Sequence, residues 1–331
     1  MDIIINTVSN DQSTDDILDW LYYFCENPVR LNDEYKCELT TVKIDNEGAD
    51  FILVSGEKQI TLSTIRSFWY RRGKITLIPE YKIENLLLQS SYNYYKREMN
   101  ALTDVIYKIG DSHYTSLNKY HDNDTNKLTN LIEAQKLGMK IPPTIITNNI
   151  FDLEQFISKY SEIIMKPIAY PEFKAFNRKL DIGAQIAVGT VKTTRKEIIN
   201  LLKSESISRF LPTLFQSYIE KKYEIRSFFI NDTFYSMAIF SQANEKTKND
   251  FRNYDYERPN RTIPYKLPVD MEDKLRKLMK KIDMNCGSFD IIVTPAMEYL
   301  FLEVNPIGQF QWLSKNCNYY IEKHIAKTLC L

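Results

Sequence analysis

The chain has 331 residues, 44% of them apolar, which is enough for two or three domains with buried cores. Its 43 basic residues balance 43 acidic ones without a long Lys/Arg run, so it lacks the charge that non-specific binding of nucleic acid or an anionic membrane requires. Five cysteines without a C-x-x-C pair predict free thiols, and with no apolar run of about 18 residues and no signal-peptide pattern we expect a soluble, cytoplasmic protein.

The first hundred residues have the pattern of a small α/β unit. A short apolar strand over residues 2–6 precedes a helix that ends near residue 25. Residues 51–62 have the pattern of a β-hairpin around Ser55-Gly56. A further strand ends in the string WYRRG at residues 69–73. Charged residues at the end of a strand are by default solvated, so this string alone assigns no function.

A long helix and a polar linker end this unit. Residues 83–109 predict a helix that Gly110 terminates. The turn-rich residues 111–125 that follow are the best candidate for a linker. His113 and His121 lie in it and are assigned no role, because isolated loop histidines are usually solvated.

Two lysines occupy unusual places in the next segment. Residues 126–137 predict a helix that ends at Gly138. Lys127 lies at the start of this helix, where the helix dipole disfavours a cation, and its position becomes reasonable if it points at a phosphate. Lys166 lies inside an apolar strand over residues 161–168, where a lysine usually extends its ammonium group to the surface.

A helix and three strands come next, and one of these strands has two charged residues on one face. The predictions are a helix over residues 193–203 and strands over 214–220, 224–230 and 234–241. Glu224 and Arg226 point to the same side of their strand because side chains alternate. A plain ion pair between them is therefore an alternative to a functional role.

Two neighbouring strands near the C-terminus place three oxygen donors together. Apolar runs over residues 288–293 and 299–304 are separated by a polar turn and follow a helix over 269–282. Asp290 lies in the first run, and Glu303 and Asn305 lie two apart at the end of the second. Oxygen ligands of this kind suit Mg²⁺, and a buried acid is costly without a partner or a metal. Asp290 alone would more often be an edge residue; together the three residues predict a magnesium site.

These three residues resemble the metal-binding core of the ATP-grasp ligases, whose late strands supply Asp and then Glu-x-Asn to Mg²⁺ on ATP. The longer string FLEVNPIGQFQWLSKNCNYYIEKHIAKTL is similar to the C-terminal signature of the ATP-grasp maturases of ribosomal peptides. These are the graspetide, or microviridin-type, synthetases, and the likeness is greatest to their grasp-with-spasm branch. WYRRG also resembles a string in the N-terminal domain of this family. The resemblance spans roughly residues 60–331.

The resemblance implies an α/β (α+β) chain with the ATP-grasp fold. It implies a pre-ATP-grasp domain over residues 1–115, a central subdomain over 116–205 and a C-terminal subdomain with the metal site over 206–331. ATP and Mg²⁺ are the implied cofactors, and a homodimer is the implied assembly. The family commonly covers the phosphates with a Gly-rich loop, whereas this chain has AYPEFKAFNRKLDIGAQIAVG after Lys166.

The resemblance also assigns residues to ATP. The nucleotide-binding set is Lys127, Lys166, Gln216, Tyr218, Ile219 and Glu224. Lys166 would reach the α- and β-phosphates, the backbone at Tyr218 or Ile219 would pair with adenine, and Glu224 would lie near the ribose hydroxyls.

Further residues are assigned to catalysis and to the substrate. Arg226 would lie at the transferred phosphate, and Asp250 and Arg252 continue the catalytic pattern, with Arg252 stabilising an acyl-phosphate or holding the acceptor. Arg71 and Arg72 would hold substrate carboxylates by bidentate hydrogen bonds.

The implied reaction is the phosphorylation of Asp or Glu side chains of a precursor peptide, followed by attack of a Ser or Thr hydroxyl, or of a Lys amine. The partner is then a peptide with a leader and a core rich in Thr and Glu/Asp, docking on residues 127–203 or 244–250. Three alternatives remain open. They are an ATP-grasp ligase that adds an amino acid to a protein or peptide, such as a glutamate ligase or a glutathione-synthetase-like enzyme; a nucleotide-binding regulator with an inactive site; and a structural partner of a peptide-export system.

Overall fold

The computed structural model describes residues 2–77, 86–111, 115–120, 125–169, 172–177, 182–187, 190–204, 209–248, 250–251, 253 and 255–331. Within these ranges the helices are α1 (Gln12–Tyr23), α2 (Leu86–Asp111), α3 (Lys127–Lys136), α4 (Ile150–Lys159), α5 (Arg195–Ser204), α6 (Val269–Lys281), α7 (Gln311–Cys317) and α8 (Ile321–Leu329). The strands of the N-terminal part are β1 (Asp2–Thr7), β2 (Val29–Asn32), β3 (Lys36–Asp45), β4 (Gly48–Ser55), β5 (Lys58–Thr61), β6 (Ile65–Tyr70), β7 (Thr76–Leu77) and β8 (Thr115–Leu117). The later strands are β9 (Thr144–Asn149), β10 (Glu162–Lys166), β11 (Glu172–Asn177), β12 (Ile182–Ala187), β13 (Val191–Thr194), β14 (Arg209–Ser217), β15 (Tyr223–Ile230), β16 (Thr233–Phe240), β17 (Arg261–Tyr265), β18 (Cys286–Val293) and β19 (Tyr299–Asn305). The predicted mixed α/β class is confirmed.

A parallel sheet with the order β2-β1-β6-β8 organises the N-terminal part. Its strand β1 carries three successive isoleucines that are all buried. Ile3 and Ile5 enter one core and Ile4 enters another, because side chains alternate and both faces of the sheet are covered. The predicted hairpin is present as β4 and β5, which join β3 and β7 in a second sheet.

The segment predicted as a linker contributes a strand. Its residues Thr115–Leu117 form β8, which pairs in parallel with β6 and completes one edge of the N-terminal sheet. Leu117 is fully buried there, so this piece is fixed by packing. His113 and His121 lie outside the described residues.

A four-stranded antiparallel sheet with the order β13-β10-β14-β9 forms the central part. Helices α4 and α5 bury Leu153, Ile157 and Ile198 against it. The segment that stands in place of a Gly-rich loop contains a β-hairpin of β11 and β12. The three predicted domain ranges remain a prediction. Strand β14 lies after residue 205, in the range predicted for the C-terminal subdomain, yet it pairs with strands of the central sheet. Helix α3, in the range predicted for the central subdomain, packs on β19 and α6 of the C-terminal part.

The C-terminal sheet, with the order β17-β16-β15-β18-β19, is antiparallel throughout. Every residue of β15 and β18 is buried. One face, including Phe229 and Phe289, packs on α3 and α6. Part of the other face, including Phe228, packs on Phe310 and the helices α7 and α8. Both central strands are therefore covered on both sides at this level.

Helix α8 joins the two ends of the chain. Its Ile321, Ile325 and Leu329 are fully buried in the core that also contains Ile3 and Ile17. The Ser67 hydroxyl of β6 donates a hydrogen bond of 2.6 Å to the Leu329 carbonyl. The N-terminal sheet thus packs on the C-terminal subdomain through this helix.

Two further features bear on the sequence-based expectations. All five cysteines are free thiols. Among the described helices, none combines the length and the apolar content needed to cross a membrane.

The α8 core supplies a stability prediction. Leu329→Ala should lower the thermal unfolding midpoint by about 5 °C or more, because it leaves a cavity in a closely packed core. Leu331→Ala is the matched control, since Leu331 is 88% exposed and Leu329 is fully buried. Circular dichroism melts of both variants measure the difference, and equal midpoints would contradict the proposed role of α8.

Candidate active site

Three charged side chains lie in register across the C-terminal sheet. Arg226 on β15 is directly opposite Asp290 on β18, which is opposite Glu303 on β19. The Arg226 Nη1 donates a hydrogen bond of 2.7 Å to Asp290 Oδ1, and both side chains are nearly buried. The register of β18 and β19 shifts beside Asp290, an irregularity that commonly re-aims a side chain near an active site.

Asp290 and Glu303 of this charged row face a cavity of about 340 Å³ between the C-terminal and central sheets, whereas Arg226 does not line it. The cavity is lined by Asp290 and Glu303 from one side and by β10 and β14 from the other. On the same face of β15 the neighbouring Phe228 is covered by Phe310. The face therefore divides into an apolar part under α7 and α8 and a charged part that opens to the cavity.

Lys127, the first residue of α3, lies beside Glu303. Its Nζ is 3.2 Å from Glu303 Oε2, and both side chains line the cavity. The sequence had suggested a phosphate as the partner of this lysine. In the structure the Glu303 carboxylate already compensates its charge within the site.

Asn305 ends β19 opposite Ser288, next to the charged row. Its Oδ1 accepts a hydrogen bond of 3.0 Å from the Ile307 backbone N–H. In the part of the chain that the structure describes, no three His, Cys, Asp or Glu side chains cluster closely enough to hold a metal ion. Asp290 and Glu303 nevertheless fit Mg²⁺ when an amide oxygen, phosphate oxygens and waters complete the ligands, which is how Mg²⁺ is commonly bound.

Glu224 lies two residues before Arg226 and pairs with other groups. Its Oε1 accepts a hydrogen bond of 3.0 Å from Lys221 Nζ, and its Oε2 accepts one of 2.6 Å from the Ser241 hydroxyl. Burial raises the pKa of Glu224, and the Lys221 ammonium offsets only part of this effect. The alternative of a Glu224–Arg226 ion pair is replaced by two separate pairs, since Arg226 bonds to Asp290. Sequence reasoning missed Lys221, because the string EKKYE does not indicate which lysine is buried.

The residues proposed for adenine lie at and after the end of β14. Gln216, Tyr218 and Ile219 all line the cavity. The Gln216 amide donates a hydrogen bond of 3.0 Å to the Thr144 hydroxyl. The Tyr218 backbone N–H donates one of 3.0 Å to the Glu162 carbonyl, so the sheet already uses this donor. The backbone groups left to pair with adenine are therefore the Tyr218 carbonyl and the backbone of Ile219.

Three further residues were predicted to act on phosphates or on the acceptor. Lys166, the last residue of β10, lines the cavity, as does Asp250. Arg252 lies outside the described residues. The structure thus brings Lys166 and Asp250 to the cavity that Asp290 and Glu303 also line.

Arg71 and Arg72 differ sharply in their surroundings. Arg71 is 3% exposed, and its guanidinium donates to Asp11 Oδ2 at 3.2 Å and to the Ser13 hydroxyl at 3.1 Å. Burial opposes its charge and lowers the pKa of Arg71, and the Asp11 carboxylate counters that effect. The side chain of Arg72 is 34% exposed, with Nε 3.5 Å from Asp11 Oδ1. Arg71 therefore has buried structural contacts, and Arg72 is the better substrate candidate of the two.

The segment after β19 is held by two arginines. Arg71 Nη1 lies 3.5 Å from the Gly308 carbonyl oxygen, and Arg226 Nη2 lies 3.5 Å from that of Gln309. A Cβ on Gly308 would lie 2.2 Å from the Ser288 hydroxyl oxygen, so only glycine fits at this position. The backbone that follows Asn305 is therefore fixed from both sides.

Comparisons with known proteins identify the fold. Neither a protein-family model nor a curated protein sequence matches the chain. Solved structures match over its full length. The macrocyclase MdnC from Microcystis aeruginosa MRC, bound with the precursor peptide MdnA, is 25% identical with a TM-score of 0.74, covering 100% of this chain and 99% of its own. A RiPP-associated ATP-grasp ligase from Chryseobacterium gregarium, in complex with ADP and a leader and core peptide, is 28% identical with a TM-score of 0.75, covering 99% of this chain and 96% of its own.

The chain is an ATP-grasp ligase. The ATP-grasp fold and the resemblance to the ATP-grasp maturases of ribosomal peptides are confirmed by these matches. The ligase PsnB, complexed with a phosphomimetic variant of a minimal precursor, Mg and ADP, has the same fold with a TM-score of 0.68 at 16% identity, covering 100% of this chain and 98% of its own. The roles of the individual site residues in this ATP-grasp ligase remain predictions.

The position of Lys166 in this ATP-grasp ligase generates a prediction about nucleotide binding. Lys166→Ala should weaken ATP binding by about 10-fold or more, because a charge-assisted contact to phosphate is lost. Lys159→Ala, at the exposed end of α4, should leave the affinity unchanged. Isothermal titration calorimetry measures both, and equal loss of nucleotide and peptide affinity in Lys166→Ala would mean that the lysine is structural.

Proposed function

We propose that this protein is an ATP- and Mg²⁺-dependent macrocyclase of a ribosomally made precursor peptide. It phosphorylates Asp or Glu side chains of the peptide core, and a Ser or Thr hydroxyl then displaces phosphate to close a side-chain ester. A Lys amine as the nucleophile would give an amide.

One combination of observations supports this function above others. The chain matches, from end to end, a macrocyclase that was solved with its precursor peptide. It also carries Arg226, Asp290 and Glu303 in one row beside a cavity lined by Lys127 and Lys166. Opposite charges arranged in this way suit the binding of a nucleoside triphosphate with its metal ion.

The row provides positioning and charge for phosphoryl transfer. Asp290 holds the Arg226 guanidinium at 2.7 Å, and within the described part of the chain Arg226 Nε has no hydrogen-bond partner. An oriented donor in a site of low dielectric constant stabilises charge that develops on a transferred phosphoryl group. Asp290, Glu303 and Asn305 would hold Mg²⁺, which when bound neutralises charge on the phosphate oxygens.

The remaining cavity residues bind the nucleotide in this proposal. Lys166 binds phosphate, Glu224 accepts from the ribose hydroxyls, and Ile219 contacts the adenine edge. Asp250, which lines the cavity, orients the acceptor. These roles place the triphosphate between the two sheets and its terminal phosphate at Arg226.

Selectivity for one peptide needs contacts outside the reacting side chains. Every protein displays Thr, Glu and Asp, so a non-reacting leader must supply the recognition, and its binding can also organise the site. We propose residues 127–203 and 244–250 as the docking regions, a homodimer as the assembly, and the cytoplasm, where ribosomal peptides and ATP are both present, as the location.

Mass spectrometry of a full-length precursor peptide tests the function. The peptide to test is the product of any short neighbouring open reading frame whose encoded sequence is rich in Thr and Glu/Asp. With ATP and Mg²⁺ the peptide should lose one water per ring, and mild base should restore the mass if the links are esters. The core without its leader should react far more slowly, and adding the leader separately should recover part of the rate. Unchanged peptide mass with ATP present would contradict the function.

Two carboxylate variants sharpen this test. Glu303→Gln should form no rings while retaining its fold, because a metal ligand is lost. Glu298→Gln, an exposed acid on the same hairpin that pairs with Lys140, should behave like the wild type. Normal ring formation by a folded Glu303→Gln protein would remove Glu303 from the metal site.

Arg226 supplies the prediction on rate. Arg226→Lys keeps the buried positive charge beside Asp290 but removes the guanidinium donors, so kcat should fall by about 10²- to 10³-fold with little change in substrate affinity. Arg276→Lys on α6, which pairs with Glu272 and Asp273 of its own helix and lies over the Phe234 ring, should have no effect. A raised KM with unchanged kcat would instead indicate uniform binding contacts.

A further inference from the structure

We propose that Lys221 is a positioning residue that makes the site selective for ribonucleotides. It holds the Glu224 side chain in position as an acceptor for the ribose hydroxyls and so discriminates ATP from 2′-deoxyATP. This inference rests on the proposed function, because it takes the cavity to be the nucleotide site.

The geometry around Glu224 supports this role. Lys221 and Glu224 both line the cavity, and Lys221 Nζ lies 3.0 Å from Glu224 Oε1. The other carboxylate oxygen accepts a hydrogen bond from the Ser241 hydroxyl at 2.6 Å. An ionised carboxylate has about four acceptor positions, so after these two contacts it can still accept from two hydroxyl groups.

The burial of Lys221 is unusual for its residue type. Its side chain is 3% exposed, although lysine is almost never fully buried without a partner. The adjacent Lys222 provides a direct contrast. It is exposed, and its Nζ contacts the Met297 sulfur at 3.6 Å. Of these two adjacent lysines, Lys221 is therefore buried and lines the cavity, whereas Lys222 is exposed.

The contact with Lys221 determines how Glu224 is held. The Lys221 ammonium orients the buried Glu224 side chain through the 3.0 Å contact to Oε1, and both residues line the cavity. Without this contact the carboxylate loses one of the two groups that orient it, so its acceptor positions are no longer held in place for the two ribose hydroxyls.

The proposal differs from a purely structural ion pair in one measurable respect. A structural pair would affect the binding of every nucleotide equally, because its loss would disturb the whole site. A pair that presents an acceptor to the ribose affects ATP more than 2′-deoxyATP, because only ATP has the 2′-hydroxyl. The ratio of the two affinities therefore separates the two roles.

Calorimetric titration of the full chain without peptide tests the proposal. The wild type should bind Mg·ATP more tightly than Mg·2′-deoxyATP by about 10-fold or more, as expected for a hydrogen bond to a charged group. Lys221→Met should bring the two affinities to within about 2-fold of each other, mainly by weakening ATP. Lys222→Met should retain the ratio of the wild type.

A second variant guards against a Lys221→Met protein that fails to fold. Lys221→Met combined with Glu224→Gln removes both charges, which buried ion pairs tolerate better than the loss of one partner. This double variant should fold and also lack discrimination. If either variant kept the wild-type ratio of ATP affinity to 2′-deoxyATP affinity, for example because both nucleotides bound equally more weakly, the role of Lys221 would be overturned. The proposed function would remain intact. Absence of any ATP binding by the wild type would overturn both.

Discussion

The ion pair between Arg226 and Asp290 is the interaction on which the arrangement of the site depends. It joins β15 and β18, two neighbouring strands of the C-terminal sheet in which every residue is buried. Removing one partner of such a buried pair typically costs about 3–5 kcal/mol, because the other charge is left uncompensated. The pair therefore fixes the register of β15 and β18 at the level where Glu303 joins the row, and the site is built outward from it.

The same face of the sheet changes along its strands from apolar and packed to charged and open to the cavity, and the site lies in the charged part. Below the charged row, Phe228 packs on Phe310, and helices α7 and α8 exclude water. On the other side of the row, Glu224 faces the cavity, which Tyr218 and Ile219 also line. Period-2 alternation places Glu224, Arg226 and Phe228 on one side of β15, so the apolar core and the charged site share one face of this strand. Helices α7 and α8 thus belong to the core and also cover the apolar part of the strand face that carries the site.

The sequence predicted the local features well, since they depend on neighbouring residues. The strands around residues 288–293 and 299–304, with Glu303 and Asn305 on one face, follow from the apolar pattern and its alternation. Gly138 ends α3 with a φ of +76°, as its position suggested. The pairing of Lys127 with Glu303 joins distant segments and was not predicted. The pairing of Lys221 with Glu224 is local, but the sequence does not show which of the two adjacent lysines is buried. Strand β8 was missed because Thr115–Leu117 is too short and polar to signal a strand, and only its place beside β6 makes it one.

Arg71 and Arg226 both contact the segment after Asn305, and this limits which parts of the chain can be exchanged with those of similar proteins. Arg71 belongs to the N-terminal sheet and Arg226 to the C-terminal one, yet they contact the adjacent carbonyls of Gly308 and Gln309. A chimera that exchanged only the N-terminal part would replace one of these two arginines together with its anchor Asp11. An interchangeable module therefore consists of the N-terminal part together with residues 306–310 and helix α8, whose buried side chains share a core with Ile3 and Ile17.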